Sequence, residues 1–234
     1  RPLGVLALGF VVHGCWSRAF HERASAGPSA VIARAERSAP LPGPWQGTVF
    51  LIAHSLRAWT AFFKVLCDVS GRLESATGAQ MERLLSAGRN VAIIPGGFED
   101  ATLHKYGAER TAMRSRKGIV KFALRHGYAL QPLYTFGESE TYYTFTPLLK
   151  FRLWLNKFGI PAVIFWGEPR FPLFPRSDVR AYTFVGRPLQ LPQLENPTRD
   201  EINEWHGRYL TALRTLFDAH KAECGKPDAE LEIW

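Results

Sequence analysis

Residues 91–94 (VAII) are an uninterrupted apolar run that stops at Pro95-Gly96-Gly97. Apolar residues without alternation suit a strand buried on both faces, and proline with a glycine pair halts it. Such a strand needs cover above and below, and the chain supplies it by alternating apolar runs with helical patterns. Further strands are expected over 4–12, 130–136, 163–166 and 182–185. A helix is expected over 75–87, with Met81, Leu84 and Leu85 on one face and Gly88 closing it. Another is expected over 116–126, with Gly127 where a left-handed terminal glycine belongs. The last is opened by the capping box Thr198-x-x-Glu201 and carries the stripe Ile202, Trp205, Tyr209, Leu213, Leu216 and Phe217. This alternation predicts the α/β class, with a largely parallel sheet flanked by helices. At 234 residues the chain suits a single domain, residues 1–234.

Residues 49–66 (VFLIAHSLRAWTAFFKVL) come nearest to a membrane span, but His54, Arg57 and Lys64 interrupt them. They fall short of the roughly 18 clean apolar residues a span requires and read as an amphipathic or buried helix. Residues 38–47 read as a linker. Twenty-nine Lys and Arg against 21 Asp and Glu give a net charge of +8, a field that attracts phosphates of any kind. No arginine-rich tail, zinc-knuckle spacing or RNA-binding aromatic motif accompanies it, so no nucleic-acid partner is expected. Sixteen Phe and 7 Trp suit either an aromatic core or contact with an apolar surface. Cys15, Cys67 and Cys224 show no paired spacing, which argues against a disulfide framework or a metal site and for a reducing environment. The chain starts at Arg1, so a fragment lacking an N-terminal membrane anchor is expected.

In α/β sheets, ligands sit beyond the carboxyl ends of the strands. His13-Gly14 and Pro95-Gly96-Gly97-Phe98-Glu99 both fall just past such ends. If the two strands are neighbours, an imidazole and a carboxylate share one crevice. His13 is then a base presented to a pocket, or else a turn histidine. Glu99 is favoured over Asp100 as the acid, because the glycine pair lets the backbone pass close to something bulky. A carboxylate beside a neutral histidine fixes its tautomer and stabilises the imidazolium. Alternatively, Glu99 or Asp100 caps a short helix. His126 suits a helix C-terminus, and His104, His206 and His220 are expected at the surface. Arg110, Arg114, Arg116 and Lys117 precede a helix, which suits a phosphate-bearing ligand or a solvated loop.

Residues 114–138 (RSRKGIVKFALRHGYALQPLYTFGE) resemble a block of the type-2 diacylglycerol acyltransferases and their monoacylglycerol and wax-ester relatives. Residues 185–225 resemble their VG-x-P segment and closing helix, and PGGFEDATL resembles an algal or protist variant of their Gly-Gly-x-x-Glu motif. The resemblance implies a glycerolipid-acyltransferase-like single domain bound to the endoplasmic reticulum membrane, its active site toward the cytosol or the membrane interface. It implies acyl-CoA as cosubstrate, a neutral glycerolipid as acceptor and no further cofactor, and it leaves a homodimer open. The most direct reaction is diacylglycerol to triacylglycerol; a monoacylglycerol or wax-alcohol acceptor, or a non-catalytic lipid-binding relative, are the alternatives.

Carried over by residue, the family's His-Pro-His-Gly motif falls on VVHG. Its second histidine is His13 and its glycine Gly14, while Val11 and Val12 replace its first histidine and proline. Arg18 stands where the wider superfamily places an Asp, and a Pro-x-x-Arg element is missing near TAFFKV. The expected chemistry is direct transfer, with His13 as base and Glu99 as its partner. Backbone N–H groups near Gly14 or Gly96 and Gly97 face the oxyanion, and Arg114, Arg116 and Lys117 hold the CoA phosphates.

Overall fold

The computed structural model describes residues 73–158, 160 and 162–234, and upstream of them the strands at 5–9, 34–35 and 49–52. In chain order the elements are β1 (Val5–Gly9), β2 (Arg34–Ala35), β3 (Val49–Ile52), β4 (Leu73–Ser75), α1 (Gly78–Ser86), β5 (Val91–Ile93), α2 (Phe98–Leu103), β6 (Arg110–Thr111), α3 (Gly118–His126), β7 (Ala129–Phe136), β8 (Tyr143–Thr144), α4 (Leu149–Asn156), β9 (Phe165–Trp166), β10 (Tyr182–Val185), α5 (Arg199–His220) and β11 (Glu232–Ile233). The class is α/β. Seven strands form one mixed sheet in the order β2-β10-β7-β1-β5-β3-β4. In it β1 runs parallel to β5 and β7, β3 parallel to β5 and β4, and β10 parallel to β2 but antiparallel to β7. Two small ribbons stand apart, β6 with β11 and β8 with β9.

Every residue of β7 is buried, so its polar side chains need partners inside the protein. Gln131 Nε2 donates to the Gly186 carbonyl at 3.0 Å, and the Thr135 and Thr183 hydroxyls bond across the strands at 3.0 Å. Pro132 is tolerated in this inner strand because the pairing with the chain after β10 slips there. Leu130 faces Leu189 and Leu133 faces Val185, so one extra residue is accommodated between the two pairs. A proline without an N–H fits at such a bulge.

The helices form as their end signals direct. The Thr77 hydroxyl accepts from Gln80 N, so α1 starts at Gly78 and the residues before it join the sheet as β4. Gly127, at φ +66°, ends α3. The Thr198–Glu201 capping box is complete, with Thr198 N donating to Glu201 Oε2 at 2.7 Å. The α5 stripe packs on β7: Phe217 stacks on Phe136 with centroids 5.1 Å apart and meets Tyr134 edge-on at 5.0 Å. Phe217 is 1% exposed, so Phe217→Ala should lower unfolding stability by about 3–5 kcal/mol, as read from the urea midpoint at constant m-value.

Two expectations are corrected. Residues 49–52 are a strand between β5 and β4, not the start of a helix, because VFLI pairs in parallel with β5 on one side and β4 on the other; residues 53–66 lie outside the described residues. The run at 163–166 is no buried strand: β9 is two residues long, exposed, and paired to β8 outside the main sheet.

Candidate active site

The adjacency that the shared crevice requires is present. β1 and β5 are neighbours and parallel, Leu8 opposite Ile93, so the chain leaves both strands at the same edge of the sheet. His13 and Gly14 follow shortly after Gly9 and lie outside the described residues. On the other strand, the chain turns through Pro95, Gly96 and Gly97 into α2.

The two glycines are needed for different reasons. Gly97 sits at φ +60°, ψ −137°, a backbone state open essentially to glycine alone. A side chain at Gly96 would collide with the protein itself: its Cβ would lie 1.5 Å from Asp100 Oδ2 and 1.8 Å from Asp100 Cγ. The bulk that Gly96 admits is therefore the Asp100 carboxylate. Asp100 is 4% exposed, and its Oδ1 accepts a short hydrogen bond from Ala112 N, which ties α2 to β6. Glu99, one residue earlier, has its side chain 42% exposed and pairs with Arg116 at 2.9 Å.

Sequence reasoning chose Glu99 and passed over Asp100, yet a signal was present. Counted from Gly96, the spacing glycine-glycine-x-x-acid lands on Asp100. Burial pushes the Asp100 carboxyl up to about 6, against the bond from Ala112 N, the Thr111 side chain and the Arg116 charge, with Glu99 adding to the rise. A carboxyl whose folded pKa lies above its unfolded value contributes stability at low pH and loses it as pH rises. Here the contribution is full below the unfolded value of 3.8 and is lost by about pH 6, a change of about 3 kcal/mol. Asp100→Asn should remove that slope, seen as a stability difference from the native chain that changes by this amount between pH 4 and pH 7 in urea titrations.

The basic cluster does not converge. Arg116 braces the turn, donating to the Gly96 carbonyl at 2.8 Å as well as to Glu99. Arg114 reaches the Ile233 carbonyl at 3.1 Å, and Lys117 reaches Asn203 Oδ1 on α5 at 2.7 Å. Arg110 pairs with Glu232 at 3.0 Å. Of the four, Arg116 is the one at the Pro-Gly-Gly turn.

Behind the turn lies a small cavity of about 20 Å³, lined by Asp100, His104, Glu109, Tyr134 and Glu138 among others; it has room for one water. Burial lowers the His104 pKa, and its Nε2 is buried without a hydrogen-bond partner. Glu109 accepts from the Tyr134 hydroxyl at 2.7 Å, from Ser139 Oγ at 2.9 Å and from Lys226 Nζ at 2.5 Å. Lys226 also pairs with Glu140 at 2.8 Å, so this network clamps the chain after α5 onto β7. Sequence spacing carried no sign of it, since Glu109 and Lys226 meet only through the fold. His206, expected at the surface, is 4% exposed and shares a hydrogen bond with the Met113 carbonyl at 2.9 Å. His126 pairs with Glu82 at 3.1 Å. Among the described residues no group of three or more His, Cys, Asp or Glu could hold a metal ion, and no helix is long and apolar enough to cross a membrane.

A family model described as Diacylglycerol acyltransferase matches residues 50–234. Among curated proteins, human 2-acylglycerol O-acyltransferase 3 is 36% identical over 160 residues, covering 60% of this chain and 44% of its own length. Human Diacylglycerol O-acyltransferase 2 is 34% identical over 177 residues, covering 70% of this chain and 45% of its own. Human Acyl-CoA wax alcohol acyltransferase 2 is 30% identical over 200 residues, covering 80% and 60%. The chain thus spans about half the length of the first two of these relatives. No solved structure matches it. The matched range takes in β5, the Pro-Gly-Gly turn, the basic cluster and α5, and the chain belongs to the diacylglycerol acyltransferase family.

Proposed function

We propose that the protein is an acyl-CoA-dependent O-acyltransferase that esterifies a glycerolipid hydroxyl, most directly diacylglycerol to triacylglycerol. The observation that carries this reading is the family match over residues 50–234. The parallel pairing of β1 with β5 supports it, because β1, the strand that precedes His13 in sequence, ends at the same edge of the sheet as β5, where the Pro-Gly-Gly turn begins. His13 takes the proton of the acceptor hydroxyl as its oxygen attacks the thioester carbonyl. The tetrahedral oxyanion is met by backbone N–H groups at Gly14, Gly96 or Gly97. Collapse expels the CoA thiolate, which recovers the proton from His13, and Glu99 balances the imidazolium charge. Arg114, Arg116 and Lys117 contribute positive charge for the CoA phosphates.

The same reading includes one domain over 1–234 with a largely parallel sheet, acyl-CoA as cosubstrate without a further cofactor, and a place at the endoplasmic reticulum membrane facing the cytosol or the interface. It is compatible with a homodimer. A second reading, a lipid-binding relative without turnover, is favoured by Val11 and Val12 in place of the family's His and Pro. The test is incubation of the membrane-reconstituted protein with acyl-CoA and, separately, diacylglycerol, monoacylglycerol and a fatty alcohol, with products resolved by mass. Triacylglycerol is expected; an ester of another acceptor reassigns the substrate, and acyl-CoA binding without ester favours the second reading.

A further inference from the structure

Fourteen large hydrophobic residues are exposed among the described residues, and twelve of them fall between 145 and 174. They belong to α4, the β8–β9 ribbon and the loop after it, which are bound together. Arg152 Nε donates to the Ala162 carbonyl at 2.8 Å, Phe145 N to the Ile164 carbonyl at 2.9 Å, and Gly167 N to the Pro172 carbonyl at 2.9 Å. The rings pack on one another in the open: Trp154 stacks on Phe151 with centroids 5.7 Å apart and meets Phe158 edge-on at 4.8 Å. Leu148 enters α4 at φ +56°, the one positive-φ residue other than glycine among those described, with its side chain 69% exposed. A leucine held in that state is strained by about 1–2 kcal/mol, so burial of its own side chain does not explain the conformation.

The charge of this segment selects what covers it. Between 145 and 174 stand Lys150, Arg152, Lys157 and Arg170 against Glu168 alone. Arg152 is 5% exposed, and its Nη1 and Nη2 have no hydrogen-bond partner. An unneutralised guanidinium beneath an apolar surface repels a cationic partner and attracts an anionic one through the low-dielectric layer. Clustered aromatic rings flanked by lysine and arginine match the boundary between headgroups and acyl chains.

We infer that α4, the β8–β9 ribbon and the following loop form a docking surface for an anionic phospholipid bilayer. The surface abuts the candidate site: Asn156 Nδ2 on α4 donates to Thr102 Oγ1 at 2.8 Å, which seats α4 on α2 directly after the Pro-Gly-Gly turn. An acceptor dissolved in the bilayer is then delivered beside the turn. This last step rests on the proposed acyl transfer, whereas docking itself is measured without turnover.

The test is flotation of the chain with phosphatidylcholine vesicles, with and without phosphatidylserine. Leu148→Ser/Trp154→Ser/Phe158→Ser should lower partition to both by about tenfold or more. Lys150→Gln/Lys157→Gln/Arg170→Gln should remove the phosphatidylserine increment, about fivefold for each charge, and leave the phosphatidylcholine value unchanged. All six side chains lie outside the core, and native far-ultraviolet dichroism of both variants is expected. As a readout on an otherwise native surface, quenching of fluorescence by lipids brominated along the acyl chain should fall in Trp154→Phe and Trp166→Phe. Unchanged flotation of the triple apolar variant, or unchanged quenching in both tryptophan variants, overturns the inference. So does a dimer in sedimentation that the triple apolar variant dissociates, since the surface would then be occupied by a second copy.

Discussion

Gly96→Ala should lower unfolding stability by about 2–6 kcal/mol. The new Cβ would stand 1.5 Å from Asp100 Oδ2, a distance no side-chain adjustment of the alanine can relieve. The carboxylate must leave, and with it the hydrogen bond that Ala112 N donates to Oδ1. Stranding that buried N–H costs about 1–3 kcal/mol, and the forced repacking adds about 1–3 kcal/mol. A double-mutant cycle checks the cause. In an Asp100→Ala background the colliding atoms are absent, so Gly96→Ala should cost at least 2 kcal/mol less there, roughly the coupling expected of residues in contact. Equal costs in both backgrounds would mean that the turn needs Gly96 for some other reason. Gly97→Ala is a useful contrast, since nothing lies within 4 Å of its Cβ and its penalty comes from the backbone state alone, φ +60° with ψ −137°.

The second large effect is on turnover. His13→Ala should reduce acyl transfer by about 10²–10⁴-fold, the usual contribution of a positioned general base, with acyl-CoA binding retained. Undiminished turnover would remove His13 from the mechanism. Glu99→Gln keeps the side chain's size and removes the charge that pairs with Arg116, and a loss of about tenfold or more in the rate constant is expected if it balances the imidazolium. Asp100→Asn keeps an acceptor for Ala112 N and should act first on the pH dependence of stability. The reverse ranking, with Asp100→Asn the more damaging to turnover while the protein folds normally, would identify Asp100 as the acid of the site. Its burial and its fit to the motif spacing make that comparison decisive.

Much of the helical framework was legible because its signals are local. The Thr198–Glu201 box, the stripe ending at Phe217 and the glycine at 127 act within one or two turns of chain, and each appears where its spacing places it. Strands were harder. Residues 49–52 and 163–166 are both short apolar runs, and composition does not say which borders a buried strand and which lies on an exposed ribbon. Helix α4 was missed altogether, since Phe151 and Trp154 are exposed, Leu149, Leu153 and Leu155 are only partly buried, and no fully buried apolar stripe is left for periodicity to find.

By itself the sequence determined the α/β class, the family, the glycine requirement at the end of β5 and the positive balance of the chain, because these depend on residue type and near-neighbour spacing. Tertiary structure alone decided that β1 borders β5, that the space above Gly96 belongs to Asp100, and that Arg116 faces the turn while Arg114 and Lys117 face elsewhere. It also gathered the aromatic residues of 145–174 on an open surface over Arg152, whose Nη1 and Nη2 have no hydrogen-bond partner. Contacts between distant segments are set by which faces the packed sheet and helices bring together, and no local pattern records them.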